Sequence, residues 1–230
     1  MKYWNGNFIT TKSIENTDGI YNLYAQAVYE KAATWPRVLS LAEGGLAGKF
    51  FAGSFRNLIA AGNIGSIPLT TTNNAPNNFP SGTKGIPSGY NAGVNVWDEI
   101  DYGANLSDSY GFIAIGYFKP NETGTHTFFT ASDDGSGVWF GANALETGSR
   151  NTSNAVVNNG MGTGHGVVER SGTITLNSGT YYPIRIVHEE TSGGDAMRFS
   201  WQGPTSAKTE DLSNYFYYAV NNGNPTGDFE

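Results

Sequence analysis

The sequence predicts an all-β protein, an antiparallel β-sandwich or barrel, on three observations. The 230 residues include 31 glycines and 13% aromatic residues but only 14% charged residues, which is typical of turn-rich β domains with an aromatic core. From about Gly45 onward, apolar residues alternate with polar ones. Clusters of Gly, Asn, Asp and Pro separate these alternating runs, as between the strands of a sandwich or barrel.

Residues 1–44 differ from the rest of the chain and predict a docking extension with a short amphipathic helix. Apolar residues recur there with the spacing of one helical face, at Ile20, Leu23, Tyr24, Ala27 and Val28. Pro36 follows this stretch and would end the helix, because proline cannot continue one. Such an apolar stripe needs a partner, either the β domain, a symmetry-related copy or another protein of an assembly.

The β domain is predicted to occupy residues 45–218, with a C-terminal tail at 219–230. Its strands are predicted at 48–51, 110–118, 126–131, 138–140, 166–176, 181–188 and 197–201. Segments 62–93 and 146–164, rich in Asn, Gly and Ser or Thr, are predicted to be long loops.

Charge and composition exclude several classes of function. A net charge of −7 disfavours nucleic acid and anionic membranes as partners, since both require clustered Lys and Arg. The absence of cysteine excludes disulfides, thiolate nucleophiles and cysteine-based zinc sites. No apolar run reaches transmembrane length, and the N-terminus does not resemble a cleaved leader. We therefore expect no membrane insertion. The protein would either be used in the cytoplasm or leave its cell without a cleaved leader, for example in a virus particle, and we predict a virion or extracellular surface as its location.

Asp133 and Asp134 form the best candidate site in the sequence. They lie on a polar turn between two runs with strand character, 126–131 and 138–140. Two adjacent carboxylates repel each other, and Ca²⁺, which takes six to eight oxygen ligands, would relieve that repulsion. An ordinary solvated β-turn remains the alternative, because aspartate is common in turns.

Two aromatic residues and the acidic stretch between them are further candidates. Trp97 and Tyr102 flank residues 98–101 and could stack on the apolar face of a sugar, although a core role fits them equally well. The acids at Asp98, Glu99 and Asp101 raise the alternative of a glycosidase, which needs two carboxylates across the scissile bond. A solvated acidic loop is the simpler interpretation. The three histidines lack catalytic or metal-binding spacing, so we predict no enzymatic activity.

Four segments in order resemble the PA14 superfamily, including fungal adhesins of the GLEYA and flocculin type. These segments are 45–51 (GLAGKFF), 116–141 (GYFKPNETGTHTFFTASDDGSGVWFG), 181–201 (YYPIRIVHEETSGGDAMRFSW) and 211–215 (DLSNY). The resemblance spans roughly 45–218 and implies an antiparallel β-sandwich or barrel. The cysteines of the fungal adhesins are absent.

In carbohydrate-binding members, the resemblance implies Ca²⁺ held by the two aspartates, often across a cis peptide, and by a second loop. Carried onto this sequence, the side-chain ligands would be Asp133, Asp134 and Glu190, with backbone carbonyls near Ser192 and Gly194. Lectin members commonly have Asn or Asp where this chain has Glu190. The second loop also brings Asp195, a candidate ligand-binding residue, towards the site.

Taken together, these features predict a calcium-dependent carbohydrate-binding domain on a surface or virion appendage that attaches to cell-surface glycans. Residues 1–44 resemble segments of tailed-phage virion proteins and would dock the domain onto other virion or appendage proteins. We expect a homo-oligomer or multicopy assembly, because copies supply avidity to weak single sites. The alternative is a structural decoration or connector protein of a phage particle that binds no sugar.

Overall fold

The computed structural model describes residues 40–53, 55–56, 93–103, 108–145, 150–221 and 224–226. Within these residues, thirteen strands form two antiparallel sheets, one of nine strands and one of four. A continuous hydrophobic core contains residues from both sheets. The protein is therefore a β-sandwich, as predicted.

The strands of the larger sheet are β1 (Ser40–Glu43), β2 (Leu46–Ala52), β3 (Asn95–Trp97), β5 (Tyr110–Phe118), β7 (Ser136–Phe140), β8 (Val157–Asn159), β10 (Tyr182–Glu190), β12 (Phe216–Asn221) and β13 (Asn224–Thr226). The smaller sheet contains β4 (Asp101–Gly103), β6 (Gly124–Asp133), β9 (Val168–Leu176) and β11 (Ala196–Gln202). The main path of the larger sheet is β1-β12-β5-β10-β7-β8, and that of the smaller sheet is β4-β11-β6-β9. β2 pairs with β3 and with β5, and β13 pairs with β12.

The main core lies between the sheets and is rich in aromatic rings. Phe118 from the larger sheet meets Phe128 and Trp201 from the smaller one, with ring centroids 5.4 and 5.1 Å apart. On β11, Met197 and Phe199 are fully buried whereas Arg198 is exposed, so the predicted alternation holds over these three residues, but Ser200 is buried as well. Burial of each large side chain contributes about 1.5–3 kcal/mol to folding.

A second hydrophobic cluster covers the outer face of the larger sheet. Trp139 lies in it with no exposed surface, beside Phe55 and Val187, and its indole N–H donates to the side chain of Asn154 at 3.0 Å. Because β10 is covered on both faces, every residue from Ile184 to Glu190 is buried. Alternation therefore fails on β10, whereas on β11 it holds from Met197 to Phe199.

The boundaries of the β domain are wider than predicted. β1 begins at residue 40, ahead of the predicted start at 45, because it pairs with β12. β12 extends into the predicted tail 219–230 as far as Asn221, and β13 lies wholly within that tail, where Asn224–Thr226 pair back onto β12. The predicted loop 146–164 contains the short strand β8.

Some predictions concern residues outside the part of the chain that the structure describes. The amphipathic helix at residues 20–28 is one of these, as are residues 62–92 of the first predicted loop. No helix among the described residues is long and apolar enough to cross a membrane.

Candidate functional site

Asp133 and Asp134 lie on the tight turn that joins β6 to β7. Asp133 is the last residue of β6, and the peptide bond between the two aspartates is cis. Ser132 and Ser136 close the turn through their hydroxyl groups, which are 2.7 Å apart. Gly135 lies so close to its neighbours that a Cβ there would approach an oxygen of Glu189 to 2.7 Å. It would also lie 2.8 Å from the backbone carbonyl oxygen of Gly160, so the turn favours glycine at this position.

Glu190 completes a cluster of three acids with the two aspartates. One carboxylate oxygen from each of Asp133, Asp134 and Glu190 lies within 4.8 Å of the others. Glu190 is fully buried at the end of β10, and its Oε2 accepts a hydrogen bond from the backbone N–H of Asp134 at 3.2 Å. Its Oε1 is buried and has no hydrogen-bond partner. A buried, unpartnered carboxylate oxygen is costly, so this atom is a candidate ligand position.

The electrostatics of the cluster favour a cation. Burial, and then the charges of Asp134, Asp195 and Asp133, raise the pKa of Glu190 to about 7. Burial and the neighbouring Asp134 also raise the pKa of Asp133. Each shift means that the protein disfavours the ionised carboxylate. A set of oxygen donors that are charged and mutually repelling fits a hard divalent cation such as Ca²⁺.

The second loop meets the Asp-Asp turn, as the resemblance implies. A Cβ built on Gly194 would lie 3.1 Å from Oδ2 of Asp133, so the backbone at Gly194 lies close to that carboxylate. Ser192 and Gly194 are exposed, whereas Asp195 is buried and accepts a hydrogen bond from the hydroxyl of Tyr110 at 3.1 Å. The carbonyl groups of Ser192 and Gly194 stay predicted ligands.

A buried histidine that was not predicted as a site residue supports the turn. His188 Nε2 lies 3.1 Å from the carbonyl oxygen of Asp133, and Nδ1 lies 2.9 Å from the hydroxyl of Tyr102. Burial lowers the pKa of His188 to about 4, so the ring is neutral at physiological pH. A neutral ring donating from Nε2 and accepting at Nδ1 satisfies both contacts.

The structure corrects the prediction for the two aromatic residues. Trp97 has no exposed surface and Tyr102 is only 2% exposed, so neither ring can stack on a sugar at the surface. Both pack against Phe112 in the main core, with ring centroids at 4.9 and 5.5 Å. Their short strands, β3 and β4, turn these side chains inward, and the core alternative is therefore correct.

Arg56 is a residue of the site that no local sequence signal marks. Its guanidinium pairs with Oδ2 of Asp134, 78 residues away. Asp134 also accepts hydrogen bonds from the backbone N–H groups of Thr191 and His165, both at 3.1 Å. His165, which directly follows the predicted loop 146–164, therefore lies against the Asp-Asp turn.

A second acidic cluster, Glu99, Asp101 and Glu210, lies at the smaller sheet beside a cleft of about 630 Å³. The Nε of Arg198 is 3.4 Å from a carboxylate oxygen of Asp101 and 3.4 Å from one of Glu210. A guanidinium thus already pairs with two of the three carboxylates of this cluster. The arrangement fits the solvated acidic loop better than a pair of catalytic carboxylates.

Residues 110–203, which include the acid cluster at the Asp-Asp turn, match the family model of the GLEYA domain. The match supports the predicted resemblance to adhesins of the GLEYA type. No curated protein matches the chain.

Several solved structures are similar in fold. An anti-sigma factor domain-containing protein from Clostridium clariflavum is 13% identical, with a TM-score of 0.50 over 76% of this chain and 48% of that chain. The present chain thus spans about half of that protein. The Epithelial Adhesin 9 A domain from Candida glabrata, in complex with Galβ1-3GlcNAc, is 14% identical (TM-score 0.49, covering 80% and 93%). The PA14 domain of the MpAFP antifreeze protein is 15% identical (TM-score 0.48, covering 80% and 94%).

Proposed function

We propose that this chain, whose residues 110–203 match the GLEYA domain, is a calcium-dependent carbohydrate-binding domain of an adhesin type. The observation that carries the proposal is the buried, unpartnered Oε1 of Glu190 beside the carboxylates of Asp133 and Asp134. An acid cluster is common without a metal, but a buried carboxylate oxygen with no donor offers a ligand position that a cation can fill. The matched family supplies the class of ligand.

Asp133, Asp134 and Glu190 would hold the ion through their side chains, and Ser192 and Gly194 through their carbonyl groups. The bound ion supplies coordination positions that vicinal sugar hydroxyls can occupy in place of water. The neutral ring of His188 fixes the carbonyl of Asp133 and so holds the turn in place.

The sugar would be contacted from the exposed end of the site. Residues 192–194 are exposed next to the acid cluster and form the rim of the site. Asp195 is a candidate contact for a sugar hydroxyl, since its carboxylate lies at the inner side of this loop and accepts from Tyr110. Because Trp97 and Tyr102 are buried, the rim and not those rings must provide specificity.

We place the domain on a surface appendage in several copies, where avidity compensates for weak single sites. Glycans on a cell surface are the proposed partners. Galβ1-3GlcNAc, the ligand in the Candida glabrata adhesin complex, is a reasonable first probe. Attachment to a virion, and docking through residues 1–44, stay hypotheses that rest on a segment of which the structure describes only residues 40–44.

One observation favours the alternative of a structural protein that binds no sugar. Arg56 already contributes a positive charge to Asp134, so the turn has an internal counter-ion without any metal. On this alternative, the Asp-Asp turn is a structural ion pair and residues 1–44 join the domain to other proteins of the assembly.

A glycan screen of the full chain with Ca²⁺ and with EDTA separates the two proposals. We expect binding in Ca²⁺, its loss in EDTA, and its loss in Asp133→Asn, which keeps the shape of the side chain but removes the charge. Asp98→Asn is the matched control, because Asp98 is an exposed acid outside the cluster. Binding that persists in EDTA refutes the calcium mechanism. No binding under any condition favours the structural alternative.

A further inference from the structure

Arg56 is positioned by the packing of its neighbour. Phe55 is only 3% exposed and lies over Gly111 of β5, where a Cβ would approach the Phe55 ring to 2.1 Å. The missing side chain at Gly111 thus makes the space for the ring. With Phe55 anchored in the outer cluster, the next residue is directed at the Asp-Asp turn.

The backbone of a loop closes over the ion pair between Arg56 and Asp134. A Cβ built on Gly164 would lie 3.2 Å from a guanidinium nitrogen of Arg56 and 3.4 Å from Oδ1 of Asp134. The side chain of Arg56 is about three-quarters buried, with 25% of its surface exposed. An ion pair enclosed in this way is much less screened than a surface pair.

A second acceptor lies beside the guanidinium. The Nε of Arg56 is 4.0 Å from Oε1 of Glu189, and this oxygen also accepts from the backbone N–H of Gly162 at 2.6 Å. The other oxygen, Oε2, is buried and has no hydrogen-bond partner. Glu189 therefore has an acceptor site that an arginine N–H can fill.

Asp134 has little room for a second cation while Arg56 is bound. Its carboxylate accepts from Thr191, His165 and Arg56, which uses three of its roughly four lone-pair positions. A divalent ion on the same carboxylate would also lie next to a positive guanidinium, and like charges at this distance repel.

We infer that Arg56 is an internal competitor for the calcium site, which neutralises Asp134 in the metal-free protein and moves towards Glu189 when the ion binds. The inference rests on the proposed function, since it concerns the same acid cluster. It makes Arg56 a positioning residue that lowers calcium affinity and keeps the metal-free turn folded.

Calorimetric titration of the full chain with CaCl₂, with thermal melts in EDTA, tests this inference. We expect Arg56→Gln to bind Ca²⁺ roughly 5- to 150-fold more tightly than the wild type, the usual range for two coupled sites. The same variant should melt at a lower temperature in EDTA, because the acids then lack their counter-ion. Lys119→Gln is the matched control: it also removes one positive charge, but next to the Phe118 end of β5, roughly 30 Å from Tyr110 at the site end.

An unchanged or weaker calcium affinity in Arg56→Gln, relative to Lys119→Gln, overturns the inference while leaving the calcium site intact. No calcium binding in either the wild type or Arg56→Gln overturns the proposed function as well. If Arg56→Gln does not fold, nitrogen NMR of the wild-type arginine side chains decides. The Nε–Hε signal of Arg56 must shift on saturation with CaCl₂, and an unshifted signal overturns the inference.

Discussion

Replacing Glu190 with glutamine should stabilise the metal-free protein, although the residue is fully buried. Its pKa is raised from 4.5 to about 7 by burial and by the neighbouring aspartates. Above pH 7, ionising this carboxylate costs the folded state about 3 kcal/mol, at about 1.4 kcal/mol for each tenfold change in proton affinity. Glutamine keeps the acceptor for the backbone N–H of Asp134. It also leaves a buried –NH₂ group, which costs about 1–2 kcal/mol and offsets that part of the gain.

The net gain is therefore about 1–2 kcal/mol, or a melting temperature higher by about 2–8 °C for a domain of this size. The sign depends on pH. The carboxylate of Glu190 is destabilising only where the unfolded chain is ionised, so the gain grows as pH rises above 4.5 and is complete above about pH 7. Thermal melts in EDTA should show the gain at about pH 8 and a loss of about 1–2 kcal/mol at about pH 4, where only the cost of the buried –NH₂ remains.

Calcium should reverse the order of stability. With Ca²⁺ at about 100 times its Kd, the wild type gains about 2.7 kcal/mol, whereas Glu190→Gln has lost a ligand and should gain little. Glu169→Gln, an exposed glutamate on β9, is the control and should behave as the wild type in both conditions. A variant less stable than the wild type in EDTA at pH 8, or one that keeps the full calcium gain, would refute this reasoning.

Three further predictions concern the fold that positions the site. Gly135→Ala should lower the free energy of unfolding in urea by about 1–3 kcal/mol, because its Cβ would lie 2.8 Å from the carbonyl oxygen of Gly160. Gly166→Ala, in open space, is the control and should be neutral, so equal effects of the two variants would contradict this prediction. Burial lowers the pKa of His126, so protonation of this ring should cost the folded state at most about 1.4 kcal/mol per pH unit below about pH 6.5. On acidification the wild type should therefore lose more stability, or gain less, than His126→Leu, and an equal pH dependence of the two proteins is the opposing result. Trp97→Phe should lower the melting temperature and leave glycan affinity unchanged, because the ring is buried; selective loss of glycan binding would restore the stacking role.

The sequence predicted those parts of the fold in which one face of a strand is buried and the other is wet. On β11, the alternation of Met197 and Phe199 with Arg198 located the strand and its inward face. The three-residue strands β3, β4 and β8 are too short to show a period. Strand β10 is buried on both faces, so its residues from Ile184 to Glu190 do not alternate between buried and exposed.

The candidate site likewise contains some residues that the sequence alone could identify and others that it could not. Asp133 and Asp134 are adjacent in sequence, so their mutual repulsion could be recognised from the sequence alone. Glu190 came from the resemblance, and the structure brings its carboxylate to the pair from 56 residues away. Nothing local marks Arg56, because its pairing with Asp134 depends on how two distant loops meet. For Trp97, the local sequence suggested a role that the structure does not support. An aromatic residue beside acids has the same local sequence whether it lies at the rim of a site or in a core.

The most direct test of the central claim is calorimetric titration of the wild-type chain and Asp133→Asn with CaCl₂ in chelator-treated buffer. The account predicts one ion per wild-type chain, with a Kd of about 10⁻⁴–10⁻³ M as in open extracellular calcium modules, and strongly weakened binding in the variant. No binding by the wild type, or equal binding by both proteins, would contradict it.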